Sequence, residues 1–342
     1  MELVRTEDAV GSVLCHDITQ IISGKKKGPV FRKGHVIQPE DIAVLLSVGK
    51  EHLYVWEKQQ GILHEDEAAE ILRDLCLNEG MRATEPKEGK IDLIAECDGL
   101  FQVDGTALLE VNSTPQMMIA TRHGNTFVKA GDKLAGTRII PLVIEEEKMR
   151  QVQNRTFALT GGKPVLRLLP YRHKKIGIVV TGSEVFKGRI QDTFTSVLLH
   201  KLQEFDTEVI GHAVCDDDDR MTTKAINEFL KDGADVVLCT GGMSVDPDDK
   251  TPLAIRNTGA EVVTYGAPVL PGAMFMLAYL GKAAICGLPG CVMYAKRTIF
   301  DLMLPRVLAE DKITAKEIAA LGEGGLCLEC GVCTYPNCGF GK

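Results

Sequence analysis

No stretch of the 342-residue chain approaches the ~18–20 consecutive apolar residues needed to span a bilayer. The opening MELVRTEDAV lacks the apolar core of a secretory signal. Membrane insertion and export are therefore not expected, and the cytoplasm is the expected compartment. Positive charge is also scarce: 39 Lys and Arg stand against 47 Asp and Glu, a formal net charge of −8. A general nucleic-acid binder needs basic faces to meet phosphates, so that class is set aside. A small anionic ligand is not excluded, because a local nest of backbone N–H groups can hold one whatever the global charge. Two common catalytic signatures are missing as well, the Gly-x-Ser-x-Gly elbow and the Walker-type phosphate loop. The eight histidines (His16, His35, His52, His64, His123, His173, His200 and His212) show no i,i+4 pairing and no nearby carboxylate motif. Structural or solvated roles are expected for them.

Hydrophobic residues make up 45% and charged residues 25% of the chain, as in an ordinary globular protein. Its length suggests two or three domains. Segment 1–60 reads as a small mixed α/β module, with a short helix over 39–48 and a strand over 53–56. Segment 61–165 reads as an amphipathic helix over 64–80 followed by a β-rich module and linker. Its short β-like runs are 100–103, 107–111, 117–121, 126–128 and 138–144, separated by Asp104-Gly105, His123-Gly124-Asn125 and Gly131-Asp132. The charged run 145–150 begins a linker or helix that ends near Gly161-Gly162.

The pattern changes over 174–310. Apolar runs at 176–180, 208–214, 235–239, 261–264 and 283–286 read as strands. Helical spacing recurs over 193–205, over 219–230 and in a long segment after Gly290. Such alternation predicts an α/β domain, a parallel sheet with helices on both faces. Ligands of such sheets sit beyond the carboxyl ends of the strands. Three glycine-containing loops leave those ends: Thr181-Gly182-Ser183-Glu184, Thr240-Gly241-Gly242-Met243-Ser244, and Gly287-Leu288-Pro289-Gly290. Glycine lets backbone approach a ligand, and free N–H groups at a helix start favour anions. Asp216–Asp219 and Asp246, Asp248 and Asp249 belong to the same edge. Carboxylates beside a phosphate are unfavourable unless a cation such as magnesium bridges them. The alternative for the first cluster is a solvated turn with a helix cap.

In this order the loops resemble the molybdenum-cofactor biosynthesis domain shared by molybdopterin adenylyltransferases and molybdopterin molybdenumtransferases. The matching residues are Thr181 to Val185, Gly188 to Asp192, Asp216-Asp217, Thr240 to Ser244, Asp249-Lys250-Thr251-Pro252, Pro271-Gly272 and Gly287 to Gly290. The resemblance implies that the Thr181 and Gly241 loops hold the pterin and its terminal phosphate. Gly182, Ser183, Glu184, Asp192, Thr240, Gly242, Ser244, Thr251, Pro271, Gly272, Pro289 and Gly290 complete the implied cofactor-binding set. Asp249, with Asp216 or Asp217, is implied to position Mg²⁺, or nucleotide and molybdate, during transfer. It implies molybdopterin or its adenylylated form and molybdate as ligands, a molybdoenzyme as recipient, and a homodimer. The layout, with a module ahead of the domain, looks more like the transferase, and residues 28–56 are similar to the segment that precedes the domain there. The sequence departs from the family pattern at Phe194 (Asn in transferases), at Leu270 and Ala273 (lysines), at Cys291 (Asn) and at Asp246 (Gly). Losing lysines from an anion site removes charge-assisted partners of ~1.5–3 kcal/mol each. A non-catalytic carrier, sensor or delivery protein is therefore the rival to an enzyme. The related domain of nicotinamide-nucleotide amidases ranks lower, since no amidase-like segment follows residue 310.

Seven of the 11 cysteines (Cys15, Cys76, Cys97, Cys215, Cys239, Cys286 and Cys291) are scattered, mostly in apolar runs, and read as small buried hydrophobes. The other four, Cys327-x2-Cys330-x2-Cys333-x4-Cys338, fall in a tail over 322–342. Their spacing suits thiolate ligation of Zn²⁺ or a [4Fe–4S] cluster, with a redox-active or disordered tail as the alternative.

Overall fold

The computed structural model describes residues 2–22, 26–55 and 60–342. The chain forms two compact units. The first comprises residues 1–96, 103–122 and 130–167, and the second residues 97–102, 123–129 and 168–342.

In the first unit, strand Glu2–Arg5 pairs antiparallel with His52–Val55, and Ile18–Ile22 with Lys26–Phe31. Helix Asp41–Ser47 contributes Leu45 to a small core with Ala9, Leu14, Ile18, Ile37 and Leu53. Trp56, expected at the end of a strand, lies outside the described residues. Helix Glu65–Cys76 starts at His64, whose ring nitrogen accepts the Asp66 N–H while Glu67 accepts the His64 N–H. A four-stranded antiparallel sheet runs in the order Met81–Ala83, Lys90–Ala95, Lys133–Ile139, Met117–Thr121. The first two of these strands had no counterpart in the sequence reading. The expected strand over 107–111 is instead part of helix Gly105–Asn112. Asp104 decides this: its carboxylate accepts the Ala107 N–H at 2.9 Å and nucleates a helical turn, with Ala107 and Val111 buried on one face. The linker-or-helix segment is helix Glu146–Thr160, closed by Gly161 in the left-handed region.

The second unit is built on a six-stranded sheet. Its order is Thr207–Cys215, Lys174–Thr181, Val236–Thr240, Ala283–Leu288, Met276–Leu280, Glu261–Tyr265. The first four strands are parallel, as expected. The last two are antiparallel, and the expectation of a wholly parallel sheet is corrected there. The cause is Gly281-Lys282, a two-residue turn joining Leu280 to its partner Ala283, with Gly281 at φ 62°. A connection that short can only reverse the chain.

Side-chain parity sorts the layers. Ile176, Ile178 and Val180 face a core shared with Leu198 and Leu202 of helix Phe194–Leu202 and with Ile299 and Met303 of helix Ile299–Leu308. Val179, Val237, Cys239 and Ile285 face the other core, under Ala225 and Ile226 of helix Asp219–Lys231 and Ile255 of helix Thr251–Asn257. Helices thus cover both faces. Phe229 lies over Gly177 and Gly211, where a Cβ would stand 2.5 and 3.1 Å from its ring.

The segment after Gly290 is not one long helix. A 3-10 turn, Gly290–Met293, comes first, and the helix proper starts at Ile299. Thr298 and Asp301 form a capping box there: the Thr298 hydroxyl accepts the Phe300 N–H at 3.2 Å and Asp301 accepts the Thr298 N–H at 2.8 Å. Thr298→Ala is expected to lower the unfolding free energy by about 1 kcal/mol, read as a fall in the melting temperature. An unchanged melting temperature would show that the cap does not anchor this helix.

Candidate functional site

The register of the parallel strands places their carboxyl ends together. Thr181 pairs with Cys215, Val180 with Thr240, and Thr240 with Leu288. The turns that follow must therefore leave from one edge. Gly182 N–H donates to the Cys215 carbonyl at 3.2 Å, tying the first turn to the second strand end. The Thr181 hydroxyl donates to the Thr240 carbonyl at 3.2 Å and lies 3.0 Å from the Thr251 hydroxyl. Thr181, Thr240 and Thr251 are all buried. The Thr240 hydroxyl has no hydrogen-bond partner among the described residues.

Two glycines allow this closeness. Gly241, at φ 83°, brings its backbone so near the first turn that a Cβ would stand 2.1 Å from the Thr181 carbonyl oxygen. Gly242, at φ 53°, would put one 2.9 Å from the Thr251 hydroxyl. The Gly242 carbonyl accepts the Thr251 N–H at 3.2 Å, which fixes the start of the following helix. Asp249 accepts the Ser244 N–H at 2.7 Å and closes the loop between them. Tyr265 donates its hydroxyl to the Met243 carbonyl at 3.0 Å, and Gly287 leaves the space that the Met243 thioether fills.

A cavity of about 530 Å³ opens on this edge. Gly241, Gly242, Met243, Ser244 and Asp249 form one wall, and Pro289, Gly290, Cys291, Met293 and Tyr294 another. Phe194, Ala273 and Met274 complete it. Three of the positions that depart from the family pattern, Phe194, Ala273 and Cys291, thus lie on the wall itself. Burial pushes the Cys291 thiol above its ordinary pKa, so it is a neutral thiol there. No lysine or arginine among the described residues lines the cavity, and Asp249 is its one charged residue.

Other expected site residues are placed elsewhere on the same edge or off it. Asp217 accepts the Ser183 N–H at 2.9 Å, and Asp216 lies 3.6 Å from the Lys187 ammonium. Asp192 accepts the Thr195 N–H at 3.1 Å, at the start of helix Phe194–Leu202. The Glu184 carbonyl accepts the Arg189 N–H at 2.8 Å, and its side chain is exposed. Gly272 packs against helix Ile299–Leu308, where a Cβ would stand 2.5 Å from Ile299. Pro271 accepts the Ile299 N–H through its carbonyl at 3.2 Å and lines a different cavity. Among the described residues, no three His, Cys, Asp or Glu side chains are grouped to hold one metal ion. Met274, Met293 and Tyr294 are wall residues that sequence reasoning missed. Their only signal was position, two residues after Gly272 and three and four after Gly290.

The fold and rim define an α/β domain that presents turn backbone and one carboxylate to a cavity. Residues 177–309 match the family model described as "Probable molybdopterin binding domain". Residues 3–57 match another, "Domain of unknown function (DUF8806)". The molybdopterin molybdenumtransferase of Haemophilus influenzae is 32% identical over 146 residues, which are 40% of this chain and 35% of that protein. The CinA-like protein of Pseudothermotoga lettingae is 37% identical over 85 residues, 25% of this chain and 21% of that protein. The solved molybdopterin biosynthesis enzyme MoaB of Thermus thermophilus has 21% identity and a TM-score of 0.35, over 41% of this chain and 98% of its own. The chain therefore spans only 35% of the length of the curated transferase it matches. Residues 177–309 are thus similar to the molybdopterin-binding, molybdenum-cofactor biosynthesis domain, as the loops had suggested. No helix among the described residues is long and apolar enough to cross a membrane.

Gly241→Ala is expected to destabilise the second unit by roughly 1–3 kcal/mol, since both its φ and its contact with Thr181 forbid a Cβ. Gly105→Ala, with open space around it, serves as the control. Calorimetric melting of both variants checks this, and a Gly241→Ala protein that melts with its parent would contradict the close contact.

Proposed function

We propose that the rim binds molybdopterin or its adenylylated form, and that the protein inserts molybdate during molybdenum-cofactor assembly with release of the nucleotide. The observation that supports this best is the meeting of the Gly241-Gly242 loop, Asp249 and the Pro289-Gly290 turn on one cavity. Backbone N–H groups of the Gly241 loop and of the turn at Gly290 would meet the phosphate, as anions favour such positions. The buried hydroxyls of Thr181 and Thr251, with the Thr240 carbonyl, hold those turns in place rather than face bulk water. Asp249 is the residue that would hold Mg²⁺, with phosphate oxygens and water as the remaining ligands. A magnesium site needs only one or two carboxylates, so the residues present fit that ion. Bound there, the ion would supply neutralisation of phosphate charge.

One observation favours a second reading, a non-catalytic carrier or delivery protein. The wall carries Ala273, Phe194 and Cys291 and no cation, so a phosphate would lack a charge-assisted partner. AMP release from adenylylated molybdopterin, measured with molybdate and Mg²⁺, separates the two. The enzyme reading expects turnover that falls about 10²-fold or more in Asp249→Asn while pterin affinity is nearly kept. Tight pterin binding without turnover would leave the carrier, and absence of pterin binding would remove both. Ala273→Lys is expected to tighten binding of the phosphorylated pterin about tenfold or more, read by equilibrium titration. Unchanged affinity would place the phosphate away from this wall.

A further inference from the structure

The C-terminal cysteines have no part in the rim, yet the chain that carries them is anchored at both ends. At its start, Leu270 N–H donates to the Gly325 carbonyl and Cys327 N–H to the Leu270 carbonyl, each at 2.8 Å. At its end, the Tyr335 hydroxyl donates to the Asp301 carbonyl at 2.9 Å, and the Arg297 guanidinium lies 5.0 Å from the Tyr335 ring centre. Phe340 is buried, and Gly341 N–H donates to the Gly324 carbonyl at 2.9 Å. Residues 328–334 between these anchors form neither helix nor strand, and Lys296 reaches the Gly331 carbonyl at 3.1 Å.

All four thiols are unbridged, and all four line one cavity of about 600 Å³. Cys330 and Cys333 are exposed, so core packing does not account for them. Two kinds of centre compete for such a set. A tetrahedral zinc ion needs its sulfurs within about 2.3 Å of one point, and its ligands usually come as pairs from separated segments. Here the four thiols fall in one short loop. No three Cys, His, Asp or Glu side chains among the described residues are grouped for a single ion, yet the four cysteines share one wide cavity. A cluster binds each cysteine to a different iron and so needs no single meeting point for the four sulfurs. Cys-x2-Cys-x2-Cys is also the spacing of a bacterial ferredoxin run. In such a run the fourth cysteine serves another cluster, whereas Cys338 lines the same cavity as the other three and no second run exists in the chain. Lys296 and Arg297 also line this cavity, Arg297 being paired with Asp301 and Glu204.

We propose that Cys327, Cys330, Cys333 and Cys338 hold one [4Fe–4S] cluster in this cavity. The cluster adjoins the pterin rim. Tyr294 lines both cavities, and the segment 271–274 runs between them, with Pro271 on the cysteine side and Ala273 and Met274 on the other. Leu270, another of the departures, docks the cysteine loop through its backbone. The proposal does not depend on the pterin reading.

The test uses the full chain, purified without oxygen and reconstituted with ferrous iron and sulfide. The expected result is about four iron and four acid-labile sulfide per chain. A broad visible absorption that dithionite bleaches should accompany them, with an electron-paramagnetic signal in the reduced protein. Cys330→Ser and Cys333→Ser should each lose most of the iron while the metal-free variants melt with the parent, because both side chains are exposed. Cys97→Ser, outside the loop, should keep the full content. Uptake of about one zinc in preference to iron, or of neither metal, would overturn the proposal. So would iron content unaffected by the loop variants.

Discussion

The contact between Thr181 and Gly241 is the constraint on which the rim depends. One residue's carbonyl oxygen occupies the place where the other's Cβ would be, 2.1 Å away. The Thr181 hydroxyl then spans the Thr240 carbonyl and the Thr251 hydroxyl, and so joins segments 59 and 70 residues apart in sequence. Buried hydroxyls that lose these partners would carry the full cost of desolvation, about 1–3 kcal/mol each. The parallel register brings the strand ends level, and this contact turns that level edge into a closed rim.

Much of this geometry was legible in the chain. Apolar runs without period marked the parallel strands, because strands covered on both faces have no polar side to show. Glycine pairs at their ends marked the turns. The antiparallel edge was not legible from run length alone, since Met276–Leu280 looks like any apolar run and only Gly281-Lys282 forces the reversal. The helix over 105–112 was hidden for a related reason: its residues suit a strand as well, and one Asp104 side-chain hydrogen bond decides between them. The division of labour among the aspartates was beyond sequence reading. Asp216, Asp217 and Asp249 look alike in the chain, but backbone N–H groups of Ser183 and Ser244 hold Asp217 and Asp249 across their loops, while Asp216 accepts the neighbouring Asp217 N–H and faces Lys187.

The departures from the family pattern gain a common sense from their places. Phe194, Ala273 and Cys291 line one cavity and leave it less polar, with Ala273 standing where the family pattern has a lysine. Leu270 stands next door, where its backbone carries the cysteine loop. Tyr294 is the residue common to this cavity and the cysteine-lined one.

The central claim, that separate turns act together as one ligand site, is tested most directly by amide hydrogen exchange with and without molybdopterin. The account predicts that residues 181–184, 240–244 and 290–294 gain protection together at saturating ligand. Protection confined to one of these turns, or found only elsewhere in the chain, would contradict it.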